Sequence, residues 1–216
     1  MNYEDIFEKN KDWVAQKLKE DPKFFEQHFD SQTPKYLYIG CSDSRVPANE
    51  ITGLKLGDLF VHRNIANIVA HNDMNMMAIL QYAVEVLKVE HVVVCGHYGC
   101  GGIQAAMQPH SFGLLDNWLR NIRDVYRFHK LELEGIEETK EKMDRLAELN
   151  VEEQCMNVVK NASIQKSFLK YGRPLIHGWI YDMENGYLKD LDIHFDEMLE
   201  KVQEIYNLEN DIKESE

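Results

Sequence analysis

The chain has 216 residues, with 24 basic against 37 acidic side chains and a formal net charge of −13. A surface that acidic repels phosphate backbones and anionic headgroups, so neither nucleic acid nor a membrane is an expected partner. At 44% hydrophobic and 28% charged residues, the composition is that of one soluble domain, residues 1–216, able to bury a core without disulfides.

Residues 4–28 read as helical, with Ile6, Phe7, Trp13, Val14 and Leu18 at helical spacing and a break at Asp21-Pro22. Residues 1–30 are thus expected to form a helical arm. Its aromatic residues Phe7, Trp13, Phe24 and Phe25 exceed what a lone solvated helix needs, and they are expected to pack on a partner subunit. KYLYIG, DLFVHRN (58–64) and HVVVCG (91–96) read as short strands, the last one buried and parallel. MNMMAILQYAVEVLK (74–88) reads as an apolar helix, and another helix follows the glycine-rich turn HYGCGG from about Ile103. Residues 111–170 are mostly helical. Trp118, Leu119, Ile122 and Val125 share one face, and the acidic run Glu132–Glu141 is a solvated face. PLIHGWIYD (174–182) and YLKDLDIHF (187–195) read as strands joined at Asn185-Gly186, a hairpin signal. Residues 196–216 read as a C-terminal helix decaying into the polar tail NDIKESE. Strands alternating with helices predict an α/β fold: a parallel sheet core with an antiparallel edge, flanked by helices.

No apolar run approaches the roughly 18–20 residues that span a bilayer, and MNYEDIFEKNKDW has no apolar signal core. The expectation is a cytoplasmic protein. In that reducing compartment Cys41, Cys95, Cys100 and Cys155 are thiols. Cys155, in a helix with no partner motif, and Cys95, on a buried strand, read as core residues, and the methionines at 74, 76 and 77 read as core or interface. His62, His71 and His91 could shuttle protons, but ordinary packing or surface roles suit them better.

Two strand ends carry metal-ligand chemistry. One supplies Cys41-Ser42-Asp43-Ser44-Arg45, the other His97-Tyr98-Gly99-Cys100. In open α/β sheets, sites form at the carboxyl ends of strands, and neighbouring strands lie about 4.8 Å apart. Two thiolates and an imidazole suit Zn²⁺. Asp43 is a fourth, displaceable ligand, because Arg45 can pair with it bidentately. That makes a switch: Asp43 on zinc closes the site, and Asp43 on Arg45 leaves a position for water, whose pKa zinc can lower to about 7. Either fragment alone is a weak signal, but the two together beside a glycine-dense turn are not.

At these residues the sequence resembles the β-class carbonic anhydrases. The resemblance rests on GCSDSRVPANEITGL (40–54), DLFVHRNIAN (58–67), LQYAVEVLKVEHVVVCGHYGCGG (80–102) and HGWIYD (177–182), and it is greatest to the bacterial, type II-like branch with its HRN and GWxY segments. It implies reversible hydration of CO₂ to bicarbonate and a proton, one Zn²⁺ per subunit, and a four-stranded parallel core with an added edge strand. It also implies a homodimer, often paired into a homotetramer, with active sites at the subunit interface. By position, Cys41, His97 and Cys100 are implied as permanent zinc ligands and Asp43 and Arg45 as the catalytic dyad. Gln32 matches a substrate-orienting glutamine. Phe60, Ile65 and Tyr82 match an apolar CO₂ pocket to which the partner subunit contributes. Tyr38, Arg63 and Tyr181 match a regulatory bicarbonate site whose first position is Trp in that branch, so effector binding is expected to be altered. Three other readings compete. A CS₂ or COS hydrolase could use the same ligand set. A thiol enzyme could use Cys41, although Pro47 stands where a C-x₅-R loop needs Arg. A non-catalytic bicarbonate-binding protein would have no use for the Asp43–Arg45 pair.

Overall fold

The computed structural model describes residues 2–208, so the polar tail expected at 210–216 lies outside the described residues. The chain divides into two compact units, Met1–Thr33 and Pro34–Glu216.

In the first unit, α1 (Asp5–Glu20) ends where Asp21 leaves helical geometry, and its N–H donates back to Lys17 O. Asp21 Oδ1 accepts the N–H of Lys23 at 2.9 Å, which turns the chain toward α2 (Glu26–Phe29). Trp13 meets Phe24 and Phe25 edge-on, with ring centroids 6.3 and 5.6 Å away. No residue of α1 is buried, and Phe7 and Trp13 remain 54% and 42% exposed. The two helices carry an aromatic cluster of their own.

The second unit is built on five strands: β1 (Tyr36–Cys41), β2 (Leu59–Asn64), β3 (His91–His97), β4 (Leu175–Tyr181) and β5 (Leu188–Asp190). Their order is β2-β1-β3-β4-β5; the first four are parallel and β5 is antiparallel to β4. This is the predicted α/β class. Alternation sorts the sheet's faces. Leu37, Ile39, Val92, Val94, Ile176 and Ile180 join the main core, while Tyr38, Val93 and Cys95 form a smaller core on the opposite face with Trp179 and Tyr181 packed against it.

Eight helices of the described residues surround the sheet: α3 (Ala48–Thr52), α4 (Met74–Gln81), α5 (Gly101–Ala106), α6 (Leu115–Phe128), α7 (Lys130–Glu134), α8 (Thr139–Val159), α9 (Ala162–Tyr171) and α10 (Phe195–Gln203). Leu119, Ile122 and Val125 of α6 are buried, as their spacing predicts. Along α8, Leu146, Leu149, Val151, Cys155 and Val158 are buried, and the helix packs on β3 and β4.

Three predicted elements differ in detail. The helix of 74–88 turns into a π-turn at Tyr82–Val86, where Leu87 N–H donates five residues back to Tyr82 O. The acidic run 132–141 is broken: α7 ends at Gly135, and the Glu138 carboxylate caps α8 by accepting the N–H of Glu141. The last predicted strand, 187–195, keeps its ladder only at Leu188–Asp190. Asp190 Oδ1 there accepts the N–H of Asp192, whose φ of +54° turns the chain away.

Candidate metal centre

Cys41 is the last residue of β1 and His97 the last of β3, and these strands are neighbours. Cys100 follows one turn later, at the start of α5. The turn between His97 and Cys100 passes through Gly99 at φ +65°, a conformation glycine adopts without strain. Register and turn together bring three buried ligand atoms, from Cys41, His97 and Cys100, within 4.8 Å of one another.

The group fits a metal ion on three counts. The two Sγ atoms are 3.9 Å apart. Two thiolates bound tetrahedrally at about 2.3 Å from one ion stand about 3.8 Å apart. His97 Nδ1 donates to Tyr98 O at 2.9 Å, which leaves Nε2 with the lone pair. That Nε2 is buried and has no hydrogen-bond partner among the described residues. A buried acceptor without a donor is costly, and a cation between it and the sulfurs removes the cost.

Charge in the group is uneven. The Cys100 thiol, the adjacent His97 and the N–H groups of Asp43 and Ala66 pull the Cys41 thiol down against its burial. Cys100 is pushed far up by Cys41 and by burial. Burial pulls the His97 imidazole down, but Cys41, Tyr98 and Asp43 outweigh it and the net direction is up. The two sulfurs thus hold one negative charge readily and resist a second without a cation.

Asp43 and Arg45 stand over this group, held to each other. Asp43 Oδ1 accepts Arg45 Nε at 2.9 Å and the Arg45 N–H at 3.0 Å, and Oδ2 accepts the terminal guanidinium nitrogen at 2.7 Å. The guanidinium holds the carboxyl well below the usual carboxylate range. Oδ2 is 3.8 Å from His97 Nε2, so the carboxylate borders the group while paired with Arg45.

The other sequence-predicted residues are distributed unevenly. Ile65 lies beside the group: a Cβ on Gly102 would stand 2.9 Å from Ile65 Cγ2 and 3.7 Å from Cys100 Sγ, so glycine makes that approach possible. Phe60 and Tyr82 pair with each other, centroids 5.8 Å apart. Phe60 is at the start of β2, while Asn64, at its end, aligns with Cys41, about 13 Å further along the strand. Gln32 belongs to the first unit and is exposed. Tyr38 is fully buried, its hydroxyl without a hydrogen-bond partner among the described residues, and Tyr181 is half-buried on the same sheet face. Arg63 donates to the carbonyls of Cys41, at 2.7 Å, and Asp43. It therefore braces the loop that carries Cys41 and Asp43.

Sequence reasoning missed two supports. Three amides of α8 hold the turn after β2: Asn150 Nδ2 donates to Ala66 O, Gln154 Oε1 accepts Val69 N–H, and Asn157 Nδ2 donates to Val69 O. That turn contains Ala66 and Asn67 in left-handed conformations. The signal was available, since 150, 154 and 157 repeat at helical spacing along an otherwise apolar face. The second support is Glu148, which accepts the Tyr98 hydroxyl and both Lys189 and Arg145.

A profile described as carbonic anhydrase matches residues 36–188. The chain belongs to the carbonic anhydrase family. A carbonic anhydrase of Emericella nidulans is 55% identical over 206 residues, covering 95% of this chain and 90% of that one. Among solved structures, the β-carbonic anhydrase CafA of the fungal pathogen Aspergillus fumigatus superposes with a TM-score of 0.88 at 38% identity, covering 94% of this chain and 97% of its own. The tetrameric β-carbonic anhydrases of Sordaria macrospora give 0.85 at 39% identity over 88% of this chain and 97% of theirs. Among the described residues no helix is long and apolar enough to cross a membrane.

Proposed function

We propose that the chain is a zinc-dependent carbonic anhydrase, a carbonate dehydratase that interconverts CO₂ with bicarbonate and a proton. The observation that carries this reading is the unpartnered, buried Nε2 of His97 facing two sulfurs at metal-ligand spacing, with a guanidinium-held carboxylate beside them. Cys41, His97 and Cys100 hold the ion, one per subunit. Zinc, when bound there, supplies Lewis acidity that makes a water molecule nucleophilic near neutral pH.

The chain's own residues do the rest. While Arg45 holds it, Asp43 has acceptor lone pairs and no proton, so it orients an O–H donor and disfavours a second anion. Released from Arg45, the same carboxylate would be a fourth ligand for an ion held by Cys41, His97 and Cys100 and would close the site. Ile65 gives the site an apolar wall suited to CO₂. Phe60 and Tyr82 complete that pocket from the partner subunit of a homodimer, which pairs further into a homotetramer, and Gln32 orients the substrate. The exposed aromatic residues of α1 support such an assembly. Tyr38, Arg63 and Tyr181 are read as a regulatory bicarbonate site. Arg63 is already committed to two carbonyls, which supports altered effector binding.

The test is CO₂ hydration by zinc-loaded protein from about pH 6.5 to 9, for the parent, Asp43→Ala and Arg45→Ala. Activity is expected to rise with pH in the parent and to fall by about 10²-fold or more in both variants. Parental rates in Arg45→Ala would remove the pair from the mechanism.

A further inference from the structure

One pocket of this acidic chain is lined by positive charge. It measures about 250 Å³ and is walled by the π-turn region, α9 and the residues that lead into β4. Lys88, Lys166, Lys170 and Arg173 line it together with Ser163 and Ser167. Glu85 is the sole carboxylate among its lining residues, and it already accepts Ser163 Oγ at 2.6 Å and Gln81 Nε2 at 3.0 Å. The lining thus has an excess of three positive charges, in a chain whose net charge is −13. None of the four cations makes an ion pair among the described residues.

The backbone adds an independent observation. Lys88 has a φ of +56°. It follows the π-turn at the position where Val89 N–H reaches back six residues to Ala83 O, a helix ending that favours glycine. A lysine there carries backbone strain that glycine would not, and the residue lines the pocket. Strained residues and π-turns both concentrate at functional sites.

We propose that this pocket binds a small multivalent anion of the phosphate or phosphate-ester class. Four cationic residues lining one pocket call for two or three negative charges on the ligand. The volume suits a phosphate group with a few further atoms and is small for a nucleotide. Lys88 and Arg173 lie just before the first residues of β3 and β4, whereas His97 ends β3. A seven-residue strand spans about 20 Å, so an anion here does not touch the metal group.

The test is calorimetric titration of pyrophosphate into the full-length, zinc-loaded protein at constant ionic strength. The parent is expected to saturate at one anion per chain. A Lys166→Gln/Lys170→Gln variant, altered at two exposed side chains, is expected to bind at least tenfold more weakly. Lys88→Gly is expected to weaken binding while raising the thermal midpoint of the anion-free protein, two effects of opposite sign that general damage to the fold does not produce. Parental affinity in the double lysine variant overturns the proposal. So does a loss of binding in Arg45→Ala with none in the lysine variants, which would place the anion at the metal centre. The readout is binding heat, so a failure of the carbonic anhydrase reading leaves each outcome interpretable.

Discussion

Tyr98 donates its hydroxyl to Glu148 Oε1 at 2.5 Å. The carbonyl of the same tyrosine accepts His97 Nδ1, so α8 fixes the residue that orients the His97 imidazole. Burial pushes the Glu148 carboxyl up, but Lys189, Tyr98 and Arg145 outweigh it and hold it below its ordinary value of 4.5. A carboxyl depressed in the folded state adds stability above its unfolded pKa and loses it as pH falls through the folded one. Glu148→Gln is expected to destabilise by about 2 kcal/mol at pH 7. The gap to the parent should shrink below about pH 4.5. Urea unfolding at pH 7 and pH 4 checks this, and a constant gap would refute the linkage.

Tyr38 and Gly40 are equally interdependent. A Cβ at residue 40 would overlap Tyr38 Cε1, and the ring is fully buried. Gly40→Ala is expected to cost about 2–3 kcal/mol through overpacking. Adding Tyr38→Leu, which removes the ring, should recover part of that loss, whereas adding Tyr38→Phe should not. Equal behaviour of the two double variants would show that the ring is not the obstacle.

The half-buried pair His91 and His177 gives a pH dependence of its own. Their Nδ1 and Nε2 atoms are 2.9 Å apart. Burial, then His91, lowers the His177 pKa from 6.5, with Asp190 opposing. The unfolded chain therefore takes up this proton first, so stability is full above about pH 6.5 and declines as the pH falls below it. His177→Asn should flatten the change in denaturation midpoint between pH 7.5 and 5.5. An unaltered slope would assign the effect to other groups.

Asn150 is buried, and its Nδ2 donates to the carbonyl of left-handed Ala66 at 3.0 Å. Asn150→Ala strands that carbonyl, and a loss of about 2 kcal/mol is expected. Chemical denaturation measures it. A change within ±0.5 kcal/mol would mean that water replaces the amide.

All four cysteines are free and buried, but they differ in chemistry. Burial pushes Cys95 up to about 12 and Cys155 higher still. A thiol reagent is expected to find no fast-reacting cysteine in the metal-loaded protein. After chelation it should find one, Cys41, because the Cys100 thiol is pushed up, and after unfolding all four. Chelation should also lower the thermal midpoint, because a ligand bound only by the folded state stabilises it. Rapid reaction of Cys41 without chelation would argue against metal ligation.

The Cys41–His97–Cys100 group was legible because its chemistry is local in sequence. C-x-D-x-R and H-x-x-C each place their side chains within one turn of a strand end, and parallel pairing of β1 with β3 does the rest. The strand-helix alternation that predicted the α/β class rests likewise on short-range periodicity. What escaped is what depends on distant partners. Glu148 reads as one more acid in a charged helix until Tyr98, Lys189 and Arg145 converge on it. Asn150 and Gln154 read as ordinary amides until the turn after β2 needs their hydrogen bonds. The π-turn was invisible for another reason, since one added residue per turn leaves the apolar pattern of 74–88 nearly unchanged.

The strand order also dictates how the chain can assemble as it is synthesised. β1 and β2 are neighbours in sequence and in space, so they can pair as soon as residue 64 has emerged. β3 closes the other side of β1 later, but its own far edge then has no strand until β4 arrives, roughly 80 residues on. α8 is made in that interval and packs on both β3 and β4. A nascent chain stalled near residue 160 is therefore expected to bind chaperone through the uncovered edge of β3, and one stalled beyond residue 200 to have released it. Crosslinking to ribosome-associated chaperone at the two lengths would separate this order of events from collapse after release.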